Sequence, residues 1–408
     1  MYRFGDEELQ AVKRVFDSKE FYRVGSRYQE VDNFEKELAD KMGVDYALFL
    51  GGGTIALIAG LIGLGVGPGD EVIVPGYTFM ASALAVTAVG AIPVIAEIDE
   101  TLAISPDDIE KKISPNTKAI MPVHMIGFPC DMDRIMEIAE KHNIMVIEDA
   151  CQAVGGSYKS KRLGSIGHVG ALSFNYFKII SCGEGGAVLT NSKDAFERAV
   201  YLHDGGSVFR QDYIGLAKAQ NEEFSYTDIN PIYSEFRNPV FAGIQSRQSE
   251  INGAIMRVQL KRLDGILADL RRAKKVIMDA VADSGIQFLK TNDEGDCATH
   301  LGFIFDDEKT ARRFAESQGV GGSLPIDSGR HVYTNWEPIM NKRGSAHDRT
   351  NPFKLEANQG LNFNYSEDMC PDTLDILSRV VCVAMNPDWT GEEIQEKISS
   401  INTAAKAL

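Results

Sequence analysis

Between residues 46 and 190 the chain repeats one rhythm: a short apolar run, a turn, and then a stretch of helix length. The apolar runs fall at 46–50, 71–75, 92–96, 118–123, 144–147, 171–174 and 187–190. Runs of this kind, most of them separated by helices, read as strands of a largely parallel sheet covered on its faces. Segments 54–64, 81–89 and 132–142 supply intervening helices, the last running into Asn143 as a stop signal. Upstream, Leu9, Val12 and Phe16 recur at helical spacing, so 6–17 forms an amphipathic lead-in helix that breaks at Ser18.

The rhythm is lost over 204–243, which is rich in aromatic and polar residues, among them Phe209, Tyr213, Phe224, Tyr226, Tyr233 and Phe236. A connection this long is functional or disordered, and its aromatics argue against disorder, so it is predicted to form a lid or a dimer arm. Ile255, Val258, Leu263, Leu267 and Leu270 then mark a long helix leading to a second lobe, with a strand at 299–305 and a helix at 308–318. The 408 residues exceed one average domain. The expected architecture is α/β: a large domain over 1–270 built on a mostly parallel seven-stranded sheet, and a smaller C-terminal α+β domain over 271–408.

Charge narrows the partners. With 58 acidic and 42 basic residues the formal net charge is -16, which repels nucleic acid and anionic lipid over most of the surface. An anionic ligand must therefore be held locally, by backbone N–H groups or a few placed cations. The six cysteines form no Cys-x-x-Cys pair, so no metal site is expected and the thiols read as free. The opening residues lack the apolar core of a signal peptide, and no stretch reaches the roughly 18 uncharged apolar residues of a membrane span. A soluble, cytoplasmic protein is the expectation.

Three features carry chemistry. Gly51-Gly52-Gly53-Thr54 follows a strand and opens a helix, where free N–H groups and the positive helix end can face an anion, although such a cluster also serves as a plain turn. Asp149 ends a strand, where a carboxylate can bind magnesium, cap a helix or hold a pyridinium nitrogen protonated. Lys178 lies between two apolar strands among aromatic and glycine neighbours, a setting that can make its amine nucleophilic, and Ser173 before it can reach the same anion as Thr54. Anion cradle, carboxylate and lysine together suit pyridoxal 5′-phosphate. The glycine cluster 63–69 follows a helix and precedes a strand, the wrong order for a dinucleotide site, and reads as a turn.

Pro75-Gly-Tyr-Thr-Phe79, Glu148-Asp-Ala-Cys-Gln152 and the stretch from Ser173 to Gly186 resemble the DegT/DnrJ/EryC1/StrS sugar aminotransferases, which have the aspartate aminotransferase-like fold, fold type I of the pyridoxal phosphate enzymes. The similarity runs from Phe4-Gly-Asp-Glu-Glu8 and Phe34-Glu-Lys-Glu-Leu38 to Cys370-Pro371 and Asn386-Pro-Asp-Trp389. The resemblance implies that Lys178 holds the cofactor as an imine and that Asp149 pairs with the ring nitrogen. It places Gln152 beside the phenolic oxygen, Phe79 on the ring face, and Gly53, Thr54 and Ser173 around the phosphate. Where many members have His and Asn, this chain has Asn175 and Gln245, which take the corresponding cofactor positions. His331, Arg247 and Tyr176 fall in regions that meet substrate. A homodimer with shared active sites is implied as well.

The implied reaction moves an amino group from glutamate or glutamine to a keto or aldehyde sugar. Asn175-Tyr176-Phe177 and the segment 331–336 resemble the branch acting on 8-oxo-3,8-dideoxy-D-manno-octulosonate, in lipopolysaccharide and other cell-envelope polysaccharide synthesis. Nucleotide-linked 3- or 4-ketosugars and cyclitol ketones are the alternatives. An acidic acceptor calls for a cation, with Arg23, Arg210, Arg237, Arg247 and Arg330 as candidates. Two other classes compete: a lyase or desulfurase, which needs a reactive cysteine such as Cys182, and a non-catalytic sugar-binding homologue.

Overall fold

The computed structural model describes residues 3–24, 26, 28–206, 233, 235–361 and 363–408. Most of the expected arm, including Phe209, Arg210, Tyr213, Phe224 and Tyr226, lies outside the described residues.

A seven-stranded sheet forms the large lobe from β1 (Tyr46–Leu50), β2 (Glu71–Pro75), β3 (Ile92–Ala96), β4 (Thr117–Ile120), β5 (Met145–Asp149), β6 (Val169–Ser173) and β7 (Gly186–Thr190). Their spatial order is β1-β7-β6-β5-β4-β2-β3. The pairs from β6 through β3 are parallel, while β7 runs antiparallel to both β6 and β1. Every residue of β2, β3, β6 and β7 is buried, as a sheet covered on both faces requires.

The covering helices are α1 (Asp6–Ser18), α2 (Glu30–Met42), α3 (Gly53–Gly63), α4 (Ala81–Ala88), α5 (Pro106–Lys112), α6 (Met132–His142) and α7 (Lys193–His203). Sequence punctuates them locally. The Asp131 carboxylate accepts the Arg134 N–H at the start of α6, and Asn143 closes that helix in the left-handed conformation. The glycine cluster after α3 is a turn into β2, with the Asp70 side chain accepting from Gly67 N–H.

Helix α8 (Glu250–Val281) starts at a Ser249 cap and runs unbroken for 32 residues. The boundary expected at 270 falls inside this helix, so no chain break separates the lobes there. The small lobe carries β8 (Gln287–Phe288), β9 (His300–Ile304), β10 (Gly322–Ser323) and β11 (Val380–Ala384), an antiparallel sheet in the order β8-β9-β11-β10, with α9 (Glu308–Ala315), α10 (Pro371–Arg379) and α11 (Gly391–Lys406). Part of the C-terminal region returns to the large lobe. Val332 pairs with Tyr77, Tyr333 N–H donates to Gly76 O at 3.0 Å, and Tyr365 Oη donates to Pro93 O at 2.7 Å.

Candidate active site

In an open α/β sheet the strands deliver their carboxyl ends to one edge, and loops there collect the reactive groups. Here β1 ends at Leu50 and feeds Gly51–Thr54, β5 ends at Asp149, and β6 ends at Ser173 before the turn that bears Lys178. These elements enclose a cavity of about 520 Å³. Gly53, Thr54, Phe79, Asp149, Gln152, Ser173, Asn175, Lys178 and Gln245 all line it. A second cavity of about 440 Å³ shares Phe79, Gln152, Asn175 and Lys178, and extends to Ile126, Phe177, His331 and the small-lobe residues Thr299 and His300.

The cradle is built by close approach. A Cβ on Gly53 would lie 2.9 Å from both Cys151 Sγ and Ser173 Cβ, whereas a Cβ on Gly52 would meet nothing within 4 Å. The first turn of α3 thus presses against the end of β6 and leaves backbone N–H groups, which lack helical partners, beside open space. Gln245 arrives from an extended segment that pairs with Asp204, and Ser246 Oγ accepts from Gly51 N–H at 3.2 Å.

Asp149 is buried, and its two oxygens accept from Ser82 Oγ at 2.8 Å and from Cys151 N–H at 3.1 Å. These bonds fix the carboxylate and leave acceptor capacity toward the cavity it lines. Its neighbour Glu148 points the other way and accepts from Gly164, Ile166 and Gly167 N–H and from His124 Nε2, pinning the loop after β5. Gln152 Oε1 accepts from Ile126 N–H at 3.2 Å. Phe79 is 41% exposed and lies 5.4 Å from the His331 ring, centroid to centroid. Burial lowers the His331 pKa, which favours the neutral imidazole.

Not every expected residue reaches a cavity. Tyr176 is half exposed and packs edge-on against Phe177, outside the lining of either cavity. Arg247 pairs its backbone with Leu50 and turns its side chain to Asp204 and the Tyr22 ring. Of 331–336 only His331 lines either of these two cavities, and Tyr333 and Trp336 are wholly buried. Arg23 is no substrate cation: it is buried between Asp32 at 2.9 Å and Glu35 at 2.7 Å. Arg237 and Arg330 are exposed, and neither lines either of these two cavities. The reactive cysteine needed by a desulfurase is missing at 182, where burial pushes the thiol up to about 12. Ile126, Thr299 and His300 were invisible to sequence reasoning, since their place in the site comes from contact between the lobes.

The donor set fits pyridoxal phosphate: an amine, a fixed carboxylate, a flat aromatic cover, and glycine-bared amides where a side chain at Gly52 would fill the cradle. The DegT/DnrJ/EryC1/StrS aminotransferase family model matches residues 3–322. The chain belongs to this family. It is thus a pyridoxal phosphate-dependent aminotransferase with the fold that the resemblance implied. Among its relatives, the dTDP-3-amino-3,6-dideoxy-alpha-D-galactopyranose transaminase of Aneurinibacillus thermoaerophilus is 30% identical over 98% of this chain and 96% of its own length. The GDP-perosamine synthase of Caulobacter vibrioides is 41% identical, but over 59% of this chain and 58% of that protein. The crystal structure of an aminotransferase from Psychrobacter cryohalolentis superposes with a TM-score of 0.77 at 29% identity, covering 99% of this chain and 98% of that one. No helix among the described residues is long and apolar enough to cross a membrane.

Proposed function

We propose that this aminotransferase takes an amino group from glutamate or glutamine and delivers it to the keto group of a nucleotide-linked sugar. The reading rests above all on one observation: Lys178, Asp149, the Gly53–Thr54–Ser173 cradle, Phe79 and Gln152 converge on a single cavity that opens into a second one. Pyridoxal phosphate, when bound, supplies a reversible carbonyl and a ring that accepts the electron pair released as a C–H bond beside nitrogen breaks.

Each residue has a role its chemistry supports. The Gly53 and Thr54 amides and Ser173 Oγ bind phosphate at the positive end of α3. Asp149 keeps a ring nitrogen charged, and Phe79 covers the ring and excludes water. Lys178, which lines both cavities, would as a free amine take the proton from the donor's α-carbon and hand it back two atoms along, on the far side of the donor nitrogen. The second cavity admits the acceptor between Lys178 and the small lobe, with His331 as a neutral hydrogen-bonding group.

Relatives named for nucleotide-linked amino sugars support this acceptor, while others are named for inosose acceptors. The octulosonate reading is weaker, since Tyr333 and Trp336 of its segment serve the core. A homodimer is proposed as well. Phe79, Tyr176, Phe177 and Ile244 are exposed at or beside the cavity mouth, where a second copy can cover them.

The purified protein, loaded with cofactor, is assayed with glutamate or glutamine against GDP- and dTDP-linked 3- and 4-ketohexoses, a cyclitol ketone and the octulosonate aldehyde. Turnover of a nucleotide-linked ketohexose at least about 100-fold above the other acceptors is expected. A preference for the octulosonate aldehyde or the cyclitol overturns the acceptor assignment, and no transfer from either donor to any acceptor overturns the reaction.

A further inference from the structure

We propose that Thr299, a small-lobe residue, is a positioning residue for Gln152: acting through the backbone of Ile126, it decides which end of the Gln152 amide faces the cofactor cavity. The inference rests on the function proposed above and deepens it.

Ile126 is the unusual link. It is β-branched yet holds a left-handed backbone, with φ 47° and ψ 27°, in the loop between β4 and α6. Such a residue avoids this region unless its surroundings impose it, and strain of this kind gathers at functional sites. Both of its peptide groups are engaged. Its N–H donates to Gln152 Oε1 at 3.2 Å, and its carbonyl accepts from Thr299 Oγ at 2.5 Å. The next residue, Gly127, has φ 88° and accepts from Cys297 N–H at 3.0 Å. A Cβ on Gly127 would stand 2.7 Å from Cys297 Cβ, so the two lobes meet here at van der Waals contact. Relaxing Ile126 to an ordinary backbone conformation would rotate at least one of these peptide groups away from its partner.

The consequence for Gln152 is chemical. With its oxygen engaged by a donor, the amide must present its NH2 end elsewhere, and Nε2 has just one weak contact, to Met125 Sδ at 3.6 Å. The cavity therefore receives a donor. In the role proposed for Gln152, that donor faces the phenolic oxygen of the cofactor and stabilises its anion, which lowers the pH at which the bound chromophore loses its proton. Released from Ile126, the amide can turn its oxygen to the same place and lose that effect. Small-lobe placement and cofactor ionisation are thereby coupled through one peptide.

The test is a pH titration of the visible absorbance band of the cofactor-loaded protein, comparing wild type, Thr299→Val, Thr299→Ser and Gln152→Ala. Lys178, Asp149, Cys151, Glu184, His300 and His331 are the titratable groups around these cavities; none is substituted in the variants, and Thr299→Ser also keeps the hydroxyl that lies 3.2 Å from His300 Nδ1. Thr299→Val and Gln152→Ala are expected to titrate about one unit higher than wild type, while Thr299→Ser, which keeps the hydroxyl, stays with wild type. Where the valine variant is unstable, Thr299→Ala removes the hydroxyl without adding a methyl group. A shift in Gln152→Ala with none in Thr299→Val or Thr299→Ala overturns the link, as does a serine variant that shifts as far as valine. A wild-type protein without a visible band overturns the cofactor roles themselves, and this inference with them.

Discussion

Glu148 and Asp149 are adjacent carboxylates on one strand, and the pleat sends them to opposite duties. Glu148 spends its oxygens on backbone N–H groups in the core, whereas Asp149 is tied by just two bonds and lines the cavity. Asp149→Asn keeps the size and one accepting oxygen, turns the other oxygen into an amide NH2, and removes the charge that matches a ring cation. The variant should retain bound cofactor, with kcat down at least about 100-fold, roughly 3 kcal/mol of barrier. Single-turnover kinetics with the amino donor measures it, and a rate near wild type would remove Asp149 from the mechanism. At this scale the placing of Lys178 and Asp149 on one cavity was legible in the sequence, because strand ends and glycine-flanked turns leave a signature. Arg23 was misleading. Nothing in its neighbours announces that α2 will bring Asp32 and Glu35 around it, so a buried structural cation looked like a substrate-binding one. Ile126 was silent as well, for a strained isoleucine has no local pattern beyond the glycine that follows it.

Among the elements, α3 decides the most. Its N-terminus meets β6 and β7 so closely that a Cβ on Gly186 would lie 2.4 Å from the Gly52 carbonyl. The glycines at 52 and 53 should therefore respond differently to alanine. Gly53→Ala collides with Cys151 and Ser173 and is expected to cost about 2 kcal/mol of stability. Gly52→Ala has open space, so thermal unfolding of the cofactor-free protein should stay close to wild type while cofactor affinity falls about tenfold or more. Equal loss of stability in the two variants would contradict this account of the cradle. The large-lobe strands were readable because a covered parallel sheet writes itself as apolar runs, and the end of α6 was readable from Asn143. The reversal of β7 was not, since an apolar run carries no sign of its direction.

Across the whole molecule the lobes are held by α8, by the chain segment that returns to Tyr77, and by the seam at Ile126. Domain boundaries were the least legible feature: a helix of 32 residues crosses the expected division, and helical periodicity does not say where a lobe ends. The seam should also set the acid limit. His300, at the start of β9, has its pKa lowered by burial, with Lys274 adding to the effect, to about 4 from an ordinary 6.5. A depressed value means the folded state resists protonation, so the associated stability is present above about pH 6.5 and drains away as the pH falls toward 4. His300→Gln should flatten that limb, retaining about 2 kcal/mol more than wild type near pH 4 relative to neutral pH. Thermal melts across the window check it, and parallel curves for the two proteins would contradict it. The exposed aromatics around the cavity mouth belong to this scale too, as the face on which a second copy is proposed to sit. All of it depends on which amine meets the cofactor. Borohydride reduction of the pyridoxal phosphate-loaded protein, followed by peptide mapping, reads that amine directly: the label should sit on Lys178 and vanish in Lys178→Ala, whereas a stoichiometric label on another lysine, or none, would end the account.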